Sequence, residues 1–570
     1  MAGPVHFEVF ARKTPQAGWV LQTALESREQ AIQLADDMLV DKRAVSVRVT
    51  KETLDVQTME FRSVTIVTKG APEPPRPKAA RDDKSLMVCT APPDLYTVHA
   101  RELIGRVLDG WLDRQGLIPF ELLHRADLVE QLEASGIELQ HALQKIAVPE
   151  SQSTGQAVHE IIRHYQRLTD QAIERVVRTG RNDGFPNLGA EPIADVARRL
   201  ANKSDRAFLM GGAIAAAMGG VRGWRAKFEL LMNLADTAPE EAEPAALVHV
   251  AIEQIMGEIF NVRQGRADVL GATLDVGGQL AAMVRLAVPV EANLLAQADK
   301  RVAAVLPPLN GPAARLGEHM ARGQYRLLAT SLSRRVLREL MGPRRLRPGD
   351  PSGEIDVLRT MAMVLTASAG KFLTLEEAQL AFAERSKALV GADFVEAYVG
   401  TVGNPLIEAD MLVRLCENVT GNSAKRSAAR WLIACVSALR FERSLREGEA
   451  SPGSKLASLA DLQSRAQACG LSPKDQAAIH ETLGRIGDMV EVQGKVTAQI
   501  ARAPVPLLQR LALLLRMACG QGCPVGPASN RARAEALRLL KGPELRRVLA
   551  GDREAVETLK PLMQAAGLAA

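Results

Sequence analysis

Residues 504–520, PVPLLQRLALLLRMACG, contain the pattern that decides the fold of most of this 570-residue chain. Apolar side chains recur at the i, i+4, i+7 and i+8 positions that share one face of an α-helix: Leu507, Leu511, Leu514 and Leu515. Two prolines stand before this face and Gly520 follows it, as is typical of the two ends of a helix. The segment therefore predicts an amphipathic helix with one buried face.

Helical signals continue along the chain after residue 90, where we find no convincing strand. The same spacing recurs in Val357, Met361, Val364 and Leu365. Thr374 with Glu377 is a capping box, and Ser472 before Pro473 is a typical helix start. No fixed repeat period and no tetratricopeptide or ankyrin pattern is present. The sequence predicts a mainly α protein whose body is an irregular helical bundle or a solenoid-like array.

One apolar segment is a candidate for the centre of that body. Residues 431–439, WLIACVSAL, are apolar almost all round, which is typical of a helix surrounded by other helices. We predict a buried central helix there.

The first 70 residues follow a different pattern. Val5, Phe7 and Val9 alternate with polar residues, as in a half-buried strand. A turn is predicted at 15–18, and Ser27 with Gln30 begins a helix. The remaining strands are predicted at 19–25, 45–49 and 62–67. The order β-β-α-β-β predicts a small α/β domain over residues 1–70.

Proline and charge mark the next boundary. Residues 71–84 carry four prolines and little to bury, so we predict a linker over 71–90. Breaks at 341–353 and 446–454 suggest a division of the helical body. The predicted helical domains are 91–345, 346–450 and 451–570.

Composition limits the class of protein. Hydrophobic residues make up 47% and charged residues 24% of the chain, which is ordinary for a globular protein. No secretory signal is visible at the N-terminus. The most apolar run, 207–221, is shorter than the roughly 20 residues that cross a bilayer. We expect a soluble cytoplasmic protein with free cysteines and no membrane partner. Its 53 arginines against 18 lysines favour a GC-rich, bacterial coding bias.

Motifs for metals, phosphates and dinucleotides fail on spacing or context. His159 and His164 are five residues apart and point to different helix faces, whereas a zinc helix needs a spacing of four. Gly494-Lys495 lacks the rest of a phosphate loop. The glycines from Gly211 to Gly219 follow no strand and favour close helix packing instead. Cys519 and Cys523 have no further ligands nearby. We predict no metal and no cofactor.

An arginine cluster is the candidate site that the sequence favours. Six guanidiniums fall within fourteen residues: Arg334, Arg335, Arg338, Arg344, Arg345 and Arg347. The first three share one broad helix face, and the others lie in a Gly/Pro loop. They would repel one another without anions or carboxylates nearby, so we predict a site for an anion or an acidic partner. The alternative is a solvated face that pairs with acids from elsewhere in the fold.

Three functions remain open from the sequence. We favour a non-enzymatic interaction or regulatory protein that acts through protein–protein contacts. The first alternative is a binder of nucleic acid or of an anionic ligand through the arginine cluster, consistent with a C-terminal tail rich in basic residues. The second is an enzyme with a dispersed site, for which no catalytic residue can be assigned. The oligomeric state is not defined by the sequence.

Overall fold

A computed structural model describes residues 5–14, 19–54, 61–71, 89–400 and 402–568. The chain forms two compact units, Met1–Val88 and Cys89–Ala570. The predicted turn at 15–18 and residues 72–88 of the predicted linker lie outside the described residues.

The N-terminal unit is a four-stranded antiparallel sheet with one helix. Its elements are β1 Val5–Arg12, β2 Val20–Leu25, α1 Arg28–Val40, β3 Ser46–Leu54 and β4 Phe61–Gly70. The strand order in the sheet is β2-β1-β3-β4. Ser27 caps α1, and the helix buries Ala31, Ala35 and Met38 against Val9 and Val49 of the sheet. The predicted β-β-α-β-β order is confirmed.

The second unit is entirely α-helical in its described residues, except for a short 3-10 helix at Pro92–Tyr96. The first sixteen helices of this unit are α2 Val98–Val107, α3 Asp109–Gln115, α4 Pro119–Leu122, α5 Ala126–Ala134, α6 Glu138–Thr154, α7 Val158–Arg181, α8 Ile193–Leu200, α9 Arg206–Gly219, α10 Trp224–Asp236, α11 Ala242–Asn261, α12 Arg263–Leu270, α13 Val276–Ala287, α14 Pro289–Ala298, α15 Lys300–Val305, α16 Pro312–Ala321 and α17 Arg326–Met341. The predicted mainly α body is confirmed.

The remaining helices repeat a three-helix unit, two long helices followed by a short one. The four units are α18 Pro351–Ala367, α19 Leu375–Leu389 and α20 Ala392–Val399; α21 Pro405–Asn418, α22 Asn422–Ser437 and α23 Leu439–Glu447; α24 Pro452–Ala468, α25 Pro473–Gly494 and α26 Val496–Arg502; α27 Leu507–Ala518, α28 Pro527–Lys541 and α29 Pro543–Gly551. A last helix, α30 Arg553–Ala565, follows them.

The same local chemistry starts the first three units. Asp350, Asn404 and Ser451 each accept a hydrogen bond from a backbone N–H of the first turn, and each is followed by proline. A capping side chain before a proline at the first helical position favours a helix start at that residue. The units begin at unequal intervals, which explains why a search for a fixed sequence period finds none.

Successive units stack through equivalent helices. The first helices contact one another in the order α18, α21, α24, and the second helices in the order α19, α22, α25, α28. The buried faces include the predicted leucines Leu511, Leu514 and Leu515. This is the one-dimensional packing of a solenoid, in which each unit buries its apolar face against its neighbours. The division of the body at residues 345 and 450 stays a prediction.

The prediction of one central helix over residues 431–439 is wrong. Helix α22 ends at Ser437, and Leu439 begins α23 with 84% of its surface exposed. Only one face of the run is buried, through Leu432, Cys435 and Val436. The apolar run therefore spans the turn between two helices.

Within the described ranges, no single helix is both long and apolar enough to span a bilayer. Two pairs meet that requirement only when joined across sharp bends, Ala242–Asn261 with Arg263–Leu270 at 105° and Val276–Ala287 with Pro289–Ala298 at 113°.

Candidate functional site

The fold separates the six predicted arginines into three groups. Arg345 and Arg347 lie in ion pairs of the loop between α17 and α18. Arg345 Nε donates to Glu354 Oε2 at 2.8 Å, and the Glu354 side chain is fully buried. Arg347 Nε lies 3.0 Å from Asp275 Oδ2, and its Nη1 lies 3.4 Å from Asp350 Oδ2. These two arginines hold the loop in place.

Arg334 and Arg338 project from α17 into solvent. Neither forms an ion pair with any residue in the described part of the chain. Their exposure agrees with the solvated face of the alternative interpretation, but the pairing with acids from elsewhere that it also expects is found at Arg345 and Arg347 instead.

Arg335 and Arg344 line a cavity of about 140 Å³. Arg263 and Arg266 of α12 line the same cavity, so four guanidiniums converge on it. We call this cavity the arginine pocket. Its volume exceeds the roughly 30 Å³ of one water several times, which leaves room for one anionic group and some water.

The two carboxylates of the arginine pocket do not balance its charge. Asp275 is engaged by Arg347 and also accepts a hydrogen bond from Gly278 N at 2.6 Å as the cap of α13. Glu339 is 3.9 Å from Arg335, beyond hydrogen-bond distance. Among the described residues, nothing forms an ion pair with Arg263, Arg266 or Arg344. The pocket therefore carries a net positive charge.

The pKa values of two arginines in the pocket are lowered by burial and by the charges of neighbouring arginines. Burial lowers the pKa of Arg266 to about 10, and the charge of Arg335 nearby adds to the effect. Burial likewise lowers the pKa of Arg335; the carboxylate of Glu339 opposes this effect and the charge of Arg338 adds to it. Arg335 Nη1 donates to Asn261 Oδ1 at 2.9 Å, while its buried Nε has no hydrogen-bond partner. An anion in the pocket would relieve the repulsion and accept from these donors.

Backbone contacts position Arg344 at the rim of the arginine pocket. Arg385 of α19 is buried and donates from Nη2 to the carbonyl oxygens of Glu339 at 3.3 Å and Arg344 at 2.8 Å. The neighbouring carbonyl of Leu346 accepts from Gly277 N at 3.1 Å. The loop therefore presents Arg344 from a fixed backbone.

Sequence reasoning missed Arg263 and Arg266. They lie about 70 residues before the cluster, at i and i+3 of a short helix, and α12 packs against α13. Arg266 Nη1 also donates to the carbonyl of Phe260 at 2.8 Å, at the end of α11. The spacing of the two arginines is visible in the sequence, but nothing there shows that residues of α12 and α17 line one cavity.

A larger groove of about 930 Å³ is a weaker candidate for charge recognition. It is lined by α15 and by the first helices of three units, with four arginines and four carboxylates: Arg301, Arg359, Arg414, Arg465, Asp356, Asp410, Glu417 and Asp461. Arg414 pairs with Asp356 on the preceding unit, and Arg465 pairs in the same way with Asp410. These charges neutralise one another, so they serve the stacking of the units.

The structure also shows the roles of the glycine, histidine and cysteine motifs that the sequence analysis did not assign to a site. A Cβ at Gly211 would lie 2.6 Å from His124 Nε2, and one at Gly212 would lie 2.0 Å from Phe185. The glycines of α9 thus allow close packing, as predicted. His159 is exposed, whereas His164 Nε2 lies 2.8 Å from Cys89 O. All six cysteines are free. No group of three His, Cys, Asp or Glu side chains in the described segments could hold a metal ion.

Comparison with known proteins does not identify the function of this site. No protein-family model matches the chain, and no curated protein or solved structure matches it either.

Proposed function

We propose that this protein is a non-enzymatic interaction protein, and that its arginine pocket receives a phosphorylated or carboxylate side chain of a partner protein. The observation that carries the proposal is the convergence of four arginines on one cavity that only two carboxylates, Asp275 and Glu339, line: Arg263, Arg266, Arg335 and Arg344. Arginine clusters recognise phosphorylated and acidic motifs because guanidinium groups bond bidentately to both anions.

The architecture supports the same proposal. Arg344 is exposed at the edge of the pocket. Its loop leads into α18, the first helix of the stacked units, and stacked helical units present extended surfaces to partners. The pocket admits one anionic group, which favours recognition of a single side chain over a long polyanion.

Two double variants of α17 and the loop after it test the proposal, because they remove the same charge from different places. Arg335→Gln with Arg344→Gln removes two charges from the pocket, whereas Arg334→Gln with Arg338→Gln removes the same charge from solvent-exposed positions. The full chain and both double variants are titrated with inorganic phosphate, a degenerate phosphoserine peptide pool and its glutamate and serine counterparts. Short single- and double-stranded oligonucleotides complete the set.

We expect the wild type to bind phosphate and the phosphoserine pool, and the pocket variant to lose about tenfold or more in affinity. The surface variant should stay within about twofold of wild type. Equal losses in both variants, or no binding of any anion at low salt, would overturn the site. Binding of oligonucleotides without binding of peptides would reject a protein partner in favour of nucleic acid.

A further inference from the structure

A second cavity, of about 280 Å³, lies in the helical body between the turn before α2 and helices α4, α7, α9 and α11. Three aromatic side chains and one imidazole surround it, although Phe, Trp and Tyr together make up only 4% of the chain. These rings belong to Tyr96, Phe120, His124 and Phe208. We call this cavity the aromatic pocket. Its volume is near the lower end of the roughly 300–1,000 Å³ of small-molecule sites, which suits a ligand of one or two rings.

The rings pack in the edge-to-face and stacked arrangements that rigid sites use. Tyr96 and Phe208 are perpendicular with centroids 5.6 Å apart, and Phe120 stacks on His124 at 4.3 Å. Such contacts fix the ring orientations. The apolar walls of the pocket are therefore formed in the protein alone.

One of the two arginines of the pocket is already neutralised. Arg101 is buried, and its Nε donates to Glu258 Oε1 at 2.5 Å while its Nη2 donates to Gln254 Oε1 at 2.9 Å. The second oxygen of Glu258 accepts from Phe120 N at 2.8 Å. This buried pair holds α2, α4 and α11 together and leaves no unbalanced charge.

Arg175 is the cation that remains available. Its guanidinium lies 3.9 Å from the centroid of the Phe208 ring and 5.8 Å from that of Tyr96. In the part of the chain that the structure describes, no carboxylate forms an ion pair with it. Asp205 is the acidic lining residue, and it is exposed to solvent. Arg175 is half-buried, and a partly shielded arginine beside aromatic faces is a good partner for an anion.

Two neutral polar groups complete the pocket. The hydroxyl of Tyr96 is buried without a hydrogen-bond partner, and burial raises its pKa to about 12, so it stays a donor. His124 Nδ1 donates to Phe120 O at 2.8 Å, which leaves Nε2 as an acceptor. Burial lowers the pKa of His124 to about 4, so the imidazole is neutral at physiological pH. The Tyr96 hydroxyl is thus a buried donor without a partner, the kind of group that a ligand satisfies.

We propose that the aromatic pocket binds a small aromatic carboxylate. Its ring packs against the aromatic side chains, and its carboxylate pairs with Arg175 and accepts from the Tyr96 hydroxyl. A neutral analogue leaves Arg175 without an anion, and a cationic analogue is repelled by it. This site is separate from the arginine pocket, so each proposal can fail without the other.

The test is calorimetric titration of the full chain with benzoate, 3-phenylpropionate and indole-3-acetate, with 3-phenylpropanamide and phenethylamine as the neutral and cationic analogues. We expect at least one carboxylate to bind about tenfold or more tightly than either analogue. Arg175→Gln should remove this preference. Arg178→Gln, an exposed arginine on the same helix, is the matched control and should stay within about twofold of wild type.

Two further variants keep the proposal open to refutation if Arg175→Gln fails to fold. Tyr96→Phe removes only the unpartnered hydroxyl and should weaken carboxylate binding about threefold to tenfold. Asp205→Asn removes the acidic lining charge and should leave that binding unchanged or tighter. The proposal is overturned if no carboxylate exceeds its neutral analogue, if Arg175→Gln and Arg178→Gln behave alike, or if phenethylamine binds best.

Discussion

Arg465 Nε donates to Glu417 Oε1 at 2.8 Å, so a side chain of the third unit bonds to the first helix of the second. The same guanidinium reaches Asp410 on that helix. The hydrogen bond with Glu417 is the largest cause of a raised pKa of Arg465, and the hydrogen bond with Asp410 raises it further. Arg414 repeats the arrangement one unit earlier by pairing with Asp356. The first helices of successive units are therefore joined by ion pairs in which the arginine lies on the later unit and the carboxylate on the earlier one.

Replacing Arg465 tests whether these pairs stabilise the stack. We expect Arg465→Met to lower the free energy of unfolding by about 1 kcal/mol, because it removes a partly shielded network rather than an isolated surface pair. Arg443→Met is the control, since Arg443 is exposed and lies 3.9 Å from Glu447. It should change stability by less than about 0.5 kcal/mol. Urea unfolding at low and high salt measures both. Equal midpoints for the two variants would contradict a role in stacking.

Arg344 and Arg345 are adjacent, yet they should respond differently to the same substitution. Arg345→Gln leaves the buried carboxylate of Glu354 without its cation, and we expect a loss of about 2 kcal/mol, moderated by the partial exposure of Arg345. Arg344→Gln breaks no ion pair and should stay within about 0.5 kcal/mol of wild type. Thermal and urea unfolding of the two variants measure the difference. A comparable loss at Arg344 would show that it is structural.

The glycines of two helices provide a packing test. A methyl group at Gly212 would meet the Phe185 ring at 2.0 Å, so Gly212→Ala should cost about 1–3 kcal/mol through overpacking. Gly257 of α11 faces open space. There, Gly257→Ala should stabilise the protein by about 0.5–1 kcal/mol, because alanine favours the helix. Melting temperatures are expected to move in opposite directions. A stabilising Gly212→Ala would refute the close packing of α9.

The buried imidazole of His124 predicts a pH dependence of stability. Burial lowers its pKa from 6.5 to about 4 in the folded protein, so the unfolded chain binds the proton first. Its contribution is intact above about pH 6.5 and is lost as the pH falls toward 4, by up to about 3 kcal/mol. His124→Asn should flatten this dependence, whereas His159→Asn, at an exposed position, should not. Urea unfolding from pH 4.5 to 7.5 is the measurement. Parallel curves for His124→Asn and wild type would exclude His124 as the titrating group.

Local patterns predicted the elements better than their arrangement. The spacing of Leu511, Leu514 and Leu515 and the alternation around Val9 reflect which face is buried, and the structure buries those residues. The prediction of one helix over residues 431–439 was wrong because an apolar run does not show where a helix ends. Its end at Ser437 depends on the packing of α23 against α21 and α22.

The sequence analysis predicted two of the four arginines of the arginine pocket and missed the other two. Arg335 and Arg344 belong to a dense cluster, but so do Arg345 and Arg347, whose partners Glu354 and Asp275 neutralise them. Which arginines keep an unbalanced charge depends on contacts between helices distant in sequence. The same holds for the aromatic pocket, whose lining comes from residues spread over about 160 positions.

The neighbour-to-neighbour packing of the three-helix units has a consequence for how the chain acquires its structure. Most of their contacts join residues of the same or adjacent units, which corresponds to a low relative contact order. Chains of this kind close short loops before long ones and fold quickly for their length. We therefore expect folding to begin within one or a few units and to extend from them to their neighbours along the stack.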